Sequence, residues 1–141
     1  MEKYVNRLYE EWKLHGKIII SVDYDDTISA YRPDFNTEDI ARTIKLVQLA
    51  YHTGAYIVVF TACSPDRYID IQNHCEEIRL PINAINKNPI ELPFGGKDGS
   101  KIYYNINLCD RSGLTQALDI LDAAMYRYRG DQQSQKTTDV V

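Results

Sequence analysis

Residues 18–29, "IIISVDYDDTIS", run from β-branched apolar sequence straight into three carboxylates, Asp23, Asp25 and Asp26. Ile18, Ile19, Ile20 and Val22 form a nearly continuous apolar run, as expected of a parallel strand covered on both faces. Carboxylates this close repel and raise one another's pKa unless a cation or hydrogen-bond donors compensate them. An acidic turn bonded to its own backbone is the commoner use of such residues. What stands at the other strand ends argues against that use here.

Outward from this stretch, strands and helices alternate. Residues 55–62 ("AYIVVFTA"), 82–85 ("INAI") and 102–110 ("IYYNINLCD") read as further strands. Tyr4, Leu8, Trp12 and Leu14 mark an amphipathic helix ahead of the first strand. Thr37, followed by Glu38 and Asp39, predicts an N-cap, and Ile40, Ile44 and Val47 carry that helix about four turns to a stop at His52–Gly54. Ser64 and Pro65 predict the start of a third helix, and residues 113–130 predict a fourth. Residues 86–101 hold two Pro and three Gly and read as an exposed loop, and the polar tail 131–141 reads as disordered. The expectation is one α/β domain over 1–130, a three-layer Rossmann-like arrangement with a mainly parallel sheet and helices on both faces. Ligands bind such sheets at the carboxyl ends of the strands, where the acidic cluster, Thr61 and Asp110 all fall.

Bulk properties narrow the function classes. A chain of 141 residues is about one domain. No apolar run approaches the length of a membrane span, and residues 1–16 lack the apolar core of a signal peptide. Three cysteines at wide spacing, Cys63, Cys75 and Cys109, fit neither a disulfide framework nor a structural zinc site, so a reducing cytoplasm is expected. A net charge of -4 argues weakly against a nucleic-acid surface. The eleven tyrosines suit half-wet core edges and a subunit interface.

Two aspartates at i and i+2 after a strand can offer one carboxylate and a nearby carbonyl to a hard cation while the other carboxylate stays free. Magnesium suits that arrangement because it takes one or two carboxylates, keeps waters and binds phosphate oxygens. A structural calcium loop is disfavoured, since Asp23–Thr27 lacks the ligand count and length of an EF-hand.

These residues resemble the motifs of the haloacid dehalogenase superfamily. "IIISVDYDDTIS" is similar to the first motif, D-x-D-x-T, with Asp23, Asp25 and Thr27. "YIVVFTA" resembles the second, ending in Thr61. Lys101 best matches the third, with Lys97 and Lys87 as alternatives, and "NINLCDRSGL" is similar to the fourth, with Asp110. The resemblance covers roughly residues 17–128, and the order and spacing of the motifs carry more of it than the second and third do alone.

The resemblance implies a magnesium-dependent phosphomonoester hydrolase. Asp23 would be the nucleophile that forms an aspartyl phosphate, and Asp25 the general acid and base. Asp23, the backbone carbonyl of Asp25, and Asp110 would hold Mg2+, while Thr61 and Lys101 would bind the phosphoryl oxygens. Asp26 stands where many members have Gly, which left-handed backbone tolerates in Asp. Cys109 stands where the acidic pair usually has its first Asp, and a thiol is a poor magnesium ligand. That departure motivates the alternative of a catalytically weakened or silent relative that binds a phosphorylated ligand or a protein partner.

Only about ten residues separate the first motif from the next helix, and 86–101 is too short for a folded cap. An uncapped, open site fits a phosphorylated macromolecule end, or a nucleotide or other small phosphomonoester where a homo-oligomer completes the pocket. Arg67 and Arg111 flank motif positions, but a solvated Arg or a surface ion pair is the commoner role for each.

Overall fold

The protein is described by a computed structural model covering residues 1–89, Leu92 and 102–140, with side chains as far as 135. Lys101 and Lys97 lie outside the described residues.

Helix α1 (Glu2–His15) buries Val5, Leu8, Tyr9 and Trp12, the i, i+3, i+4, i+7 set of one helical face. It stops at Gly16, whose φ of 70° lets its N–H reach the Trp12 carbonyl. Strand β1 (Ile19–Asp23) follows, then α2 (Thr37–His52), β2 (Tyr56–Phe60), a 3-10 turn (Pro65–Arg67), α3 (Tyr68–Glu77), β3 (Ala84–Ile85), β4 (Ile106–Leu108) and α4 (Leu114–Val140). The α2 cap sits one residue earlier than Thr37: the Asn36 side chain accepts the Asp39 N–H at 3.0 Å. The segment opened by Pro65 makes a 3-10 turn before α3 begins at Tyr68.

The four strands form one parallel sheet in the order β3-β2-β1-β4. Chain order therefore runs outward from β1 through β2 to β3 and then crosses to the far side of β1. β3 and β4 are shorter than their apolar patterns suggest, because asparagine side chains stand in for part of the ladder. Asn83 Oδ1 accepts the Ile57 N–H at 2.7 Å, and Asn105 Oδ1 accepts the Ile19 N–H at 2.6 Å.

The alternation of side chains along β1 explains its unbroken apolar run. Ile18, Ile20 and Val22 join Ile57, Val59 and the buried faces of all four helices in one core. Ile19 and Val58 point the other way, under Leu92, Ile102 and Tyr103. Among the described residues, then, the helices share one core on one face, and Leu92, Ile102 and Tyr103 rather than a helix pack on the second.

Where composition suggested a disordered tail from 131, α4 runs on to Val140. Its partner is α1: Trp12 stacks on Tyr128 with ring centroids 5.2 Å apart, and Tyr9 donates a hydrogen bond to the Asp131 carboxylate. Arg127 lies over the Tyr9 ring and donates to Asn6. Tail residues poor in apolar side chains stay helical by continuing a helix that is already docked. Among the described residues no helix is long and apolar enough to cross a membrane.

Candidate functional site

The register of β1 against its two neighbours builds the site. Asp23, the last residue of β1, pairs with Phe60, and Val22 pairs with Leu108. One step further along β4 brings Cys109 beside Asp23, with the Cys109 Sγ 3.9 Å from Asp23 Oδ2. Asp110 comes next. Side-chain ligand atoms of Asp23, Cys109 and Asp110 all lie within 4.8 Å of one another, and all three residues are half-buried. The group sits at the carboxyl ends of β1 and β4, where the strand order reverses, and such crevices bind ligands in open parallel sheets.

The turn after β1 is held by its own residues. The Tyr24 N–H donates to the Phe60 carbonyl at 3.0 Å, and the Asp26 N–H to the Ser29 carbonyl at 2.6 Å. Asp26 adopts φ 60°, the left-handed conformation expected at the position where Gly would be easiest. Its carboxylate accepts the backbone N–H groups of Tyr31 and Arg32 at 2.8 and 2.9 Å and pairs with the Arg32 guanidinium at 3.4 Å. Those bonds to Arg32 and Tyr31 hold the Asp26 carboxyl below its usual range. Asp26 is thus a loop anchor.

Thr27 is fully buried and joins the two sides of the crevice. Its Oγ1 accepts the Asp110 N–H at 3.0 Å and lies 3.4 Å from Asp110 Oδ1. The residue belongs to the sequence motif, but its partner is 83 positions away and is visible only in the fold.

Burial pushes the Asp23 carboxyl up to about 6, and a hydrogen bond with Asp110 and the charge of Asp110 push the same way. Burial also raises the Cys109 thiol, with the Asp23 charge adding to it. Negative charge is therefore crowded at this point of the sheet, and a bound cation would relieve it.

The other expected site residues are less converged. Asp25 is exposed in the turn, and its side chain is not among the three clustered ligands. Thr61 directly follows Phe60, at the same sheet edge, and its hydroxyl accepts the Cys63 N–H at 3.2 Å. Asn86 fixes this strand end, accepting the Thr61 N–H at 3.0 Å and donating to the Thr61 carbonyl at 2.7 Å and to the Tyr68 hydroxyl at 2.9 Å. Sequence reasoning missed Asn86; a lone Asn after an apolar run carries no signal of that role. Of the lysine candidates only Lys87 lies among the described residues, where it is exposed. His74 accounts for itself by pairing with the Tyr24 hydroxyl at 2.7 Å.

A cleft of about 410 Å³ adjoins Asp110, between the N-terminal ends of α2 and α4. Asp26, Arg32, Phe35, Asp39, Asp110 and Arg111 are among the residues that line it. A larger cavity of about 530 Å³ lies between α2, α3 and β3, but no candidate site residue lines it. Of these two, only the smaller cleft is lined by a member of the acidic cluster, Asp110.

The fold and its crevice thus define a mixed α/β protein with a four-stranded parallel sheet, compatible with a Rossmann-like arrangement, and an acidic cluster at its strand ends. Compared with known proteins, the chain matches no family model, no curated protein and no solved structure.

Proposed function

We propose that the protein is a divalent-cation-dependent phosphomonoester hydrolase of the haloacid dehalogenase type. The observation that carries this reading is the convergence of Asp23 and Asp110 at the point where the strand order reverses. The two carboxylates fit Mg2+, which takes oxygen donors; the Cys109 thiol beside them does not. Asp23 and Asp110, with the backbone carbonyl of Asp25, would hold the cation. When bound, it neutralises the carboxylates and lets a phosphate dianion approach them.

In this reading Asp23 attacks phosphorus as the leaving oxygen departs, giving an aspartyl phosphate. Asp25, exposed two residues on, gives its proton to the leaving oxygen and then takes one from the water that hydrolyses the acyl phosphate. Thr61, at the adjacent strand end, contributes a hydroxyl to the phosphoryl oxygens, and Lys101 a charge. The 410 Å³ cleft beside Asp110 receives the alcohol portion. Its mixed acidic and basic lining suits a phosphomonoester with a polar leaving group, such as a nucleotide or a phosphorylated macromolecule end.

Cys109 favours one other reading. A thiol 3.9 Å from the nucleophile position weakens magnesium binding, and a relative that binds a phosphorylated ligand without turnover would tolerate it.

Release of phosphate from p-nitrophenyl phosphate, with and without Mg2+, tests the proposal. Turnover that requires the cation and falls by about a thousandfold or more in Asp23→Asn supports a nucleophile at that position. Absence of turnover on a panel of phosphomonoesters, together with absence of divalent-cation binding, would sink it.

A further inference from the structure

We propose that Cys109 turns the strand-end cluster into a mixed carboxylate and thiolate centre that takes a cation of borderline softness, Zn2+ or Co2+, in preference to Mg2+. Asp23, Cys109 and Asp110 are its protein ligands. This rests on the reading of the cluster as a divalent-cation seat and concerns which cation sits there.

The register fixes the thiol's position. Val22 pairs with Leu108, so Cys109 is the cross-strand neighbour of Asp23, and Asp110 lies one residue beyond. Its Sγ faces a carboxylate at 3.9 Å and is within 4.8 Å of ligand atoms from both aspartates. The other two cysteines behave differently: Cys75 is buried in the main apolar core and Cys63 packs against it. Cys109 belongs to neither apolar cluster. A cysteine conserving only core volume would be placed as Cys75 is, whereas this one faces two carboxylates.

The donor set then argues for the cation. Sulfur ligands select borderline and soft metals, while Mg2+ is served by oxygen alone. A Zn–S bond of about 2.3 Å and Zn–O bonds of about 2.0–2.2 Å would require the three ligand atoms, now within 4.8 Å of one another, to draw together around the ion. With the thiol taking the place of the Asp25 carbonyl, three protein ligands would leave the fourth tetrahedral position open, the pattern of reactive rather than structural zinc sites. Forming the metal–sulfur bond displaces the thiol proton to solvent, so no oxidant or reductant is needed. Thr27 keeps Asp110 in place through its bond to the Asp110 N–H.

The test is absorption spectroscopy of the full chain, freed of metal by a chelator and titrated with Co2+. A sulfur-to-cobalt charge-transfer band is expected in the near ultraviolet. It should persist in a Cys63→Ser, Cys75→Ala variant, whose one thiol is Cys109, and vanish in Cys109→Ser. By calorimetry, Zn2+ should lose ~10-fold or more in affinity in Cys109→Ser while Mg2+ changes by less than ~3-fold. Cobalt binding without the band, or a band that survives in Cys109→Ser, overturns the inference and leaves the hydrolase reading standing on its oxygen ligands. Failure of Co2+, Zn2+ and Mg2+ alike to bind overturns both. Should Cys109→Ser not fold, the band in the single-thiol variant decides.

Discussion

Thr27 Oγ1 accepts the Asp110 N–H at 3.0 Å, so one buried hydroxyl ties the turn after β1 to the end of β4. Thr27→Val keeps the shape and removes the acceptor, leaving that N–H unpaired at a cost of about 1–3 kcal/mol in urea unfolding. Because the bond positions a candidate ligand, divalent-cation affinity should also fall by about 10-fold, as it does when supporting residues of metal sites are lost. Thr27→Ser should restore both. A valine variant that unfolds earlier yet binds cations as the parent does would reduce Thr27 to a structural role.

Asp23 sets a pH dependence whose direction follows from its raised carboxyl. The folded group titrates at about 6 instead of the ordinary 3.8, so across that window the folded state binds more protons than the unfolded chain. Stability contributed by protonated Asp23 is present at low pH and is lost as pH rises through about 6. The metal-free protein should lose about 1 kcal/mol relative to Asp23→Asn over that range, after allowance for solvent screening of a half-buried group. Thermal melts of both proteins at a series of pH values measure this. Saturating divalent cation should abolish the loss in the parent, because it binds the ionised form. Parallel pH profiles for the two proteins would place the Asp23 carboxyl in the ordinary range.

Much of this arrangement was legible before the fold was known, and the reason is local. The alternation of apolar runs with helical periods specified α/β architecture, and strand ends rich in Asp and Thr pointed to one edge of the sheet. Asp23 and Asp110 meet there because parallel strands align their carboxyl ends. What sequence could not give was register. Whether Cys109 or Asp110 faces Asp23 turns on a single residue of β4 pairing, and a shift by one reverses the faces. Nor did composition show that α4 would run past residue 130, where its docking on α1 reaches Asp131 through Tyr9, more than a hundred residues away. The shortening of β3 and β4 was hidden for a similar reason. Asn83 and Asn105 look like polar interruptions, and only pairing shows that their side chains complete the ladder.

Trp12 is the keystone of the α1–α4 contact. It is fully buried, stacks on Tyr128 and donates its indole N–H to the Thr53 carbonyl at 3.3 Å. Trp12→Ala should destabilise the protein by about 3–5 kcal/mol, the range for removing a buried aromatic. Trp12→Phe, which keeps a ring against Tyr128, should cost clearly less. Urea unfolding followed by circular dichroism gives both values. A loss under about 1 kcal/mol in the alanine variant would mean that α1 adds little to the core.

Asn105 offers the sharpest test of side chains standing in for the sheet ladder. Its Oδ1 accepts the Ile19 N–H at 2.6 Å, while its own N–H donates to the Ile19 carbonyl at 2.8 Å and its amide donates to Glu11. Asn105→Ala leaves the Ile19 N–H without its acceptor at the start of the central strand, at a cost of about 1–3 kcal/mol. Amide exchange at Ile19 should accelerate in step. Asn105→Asp keeps an acceptor for Ile19 but sets a carboxylate against Glu11, so it should recover the exchange protection and only part of the stability. Since Ile19 opens the strand that ends in Asp23, loosening here should reach the site. A variant that lost stability with Ile19 still protected would show that the Ile19 N–H does not owe its protection to the Asn105 side chain.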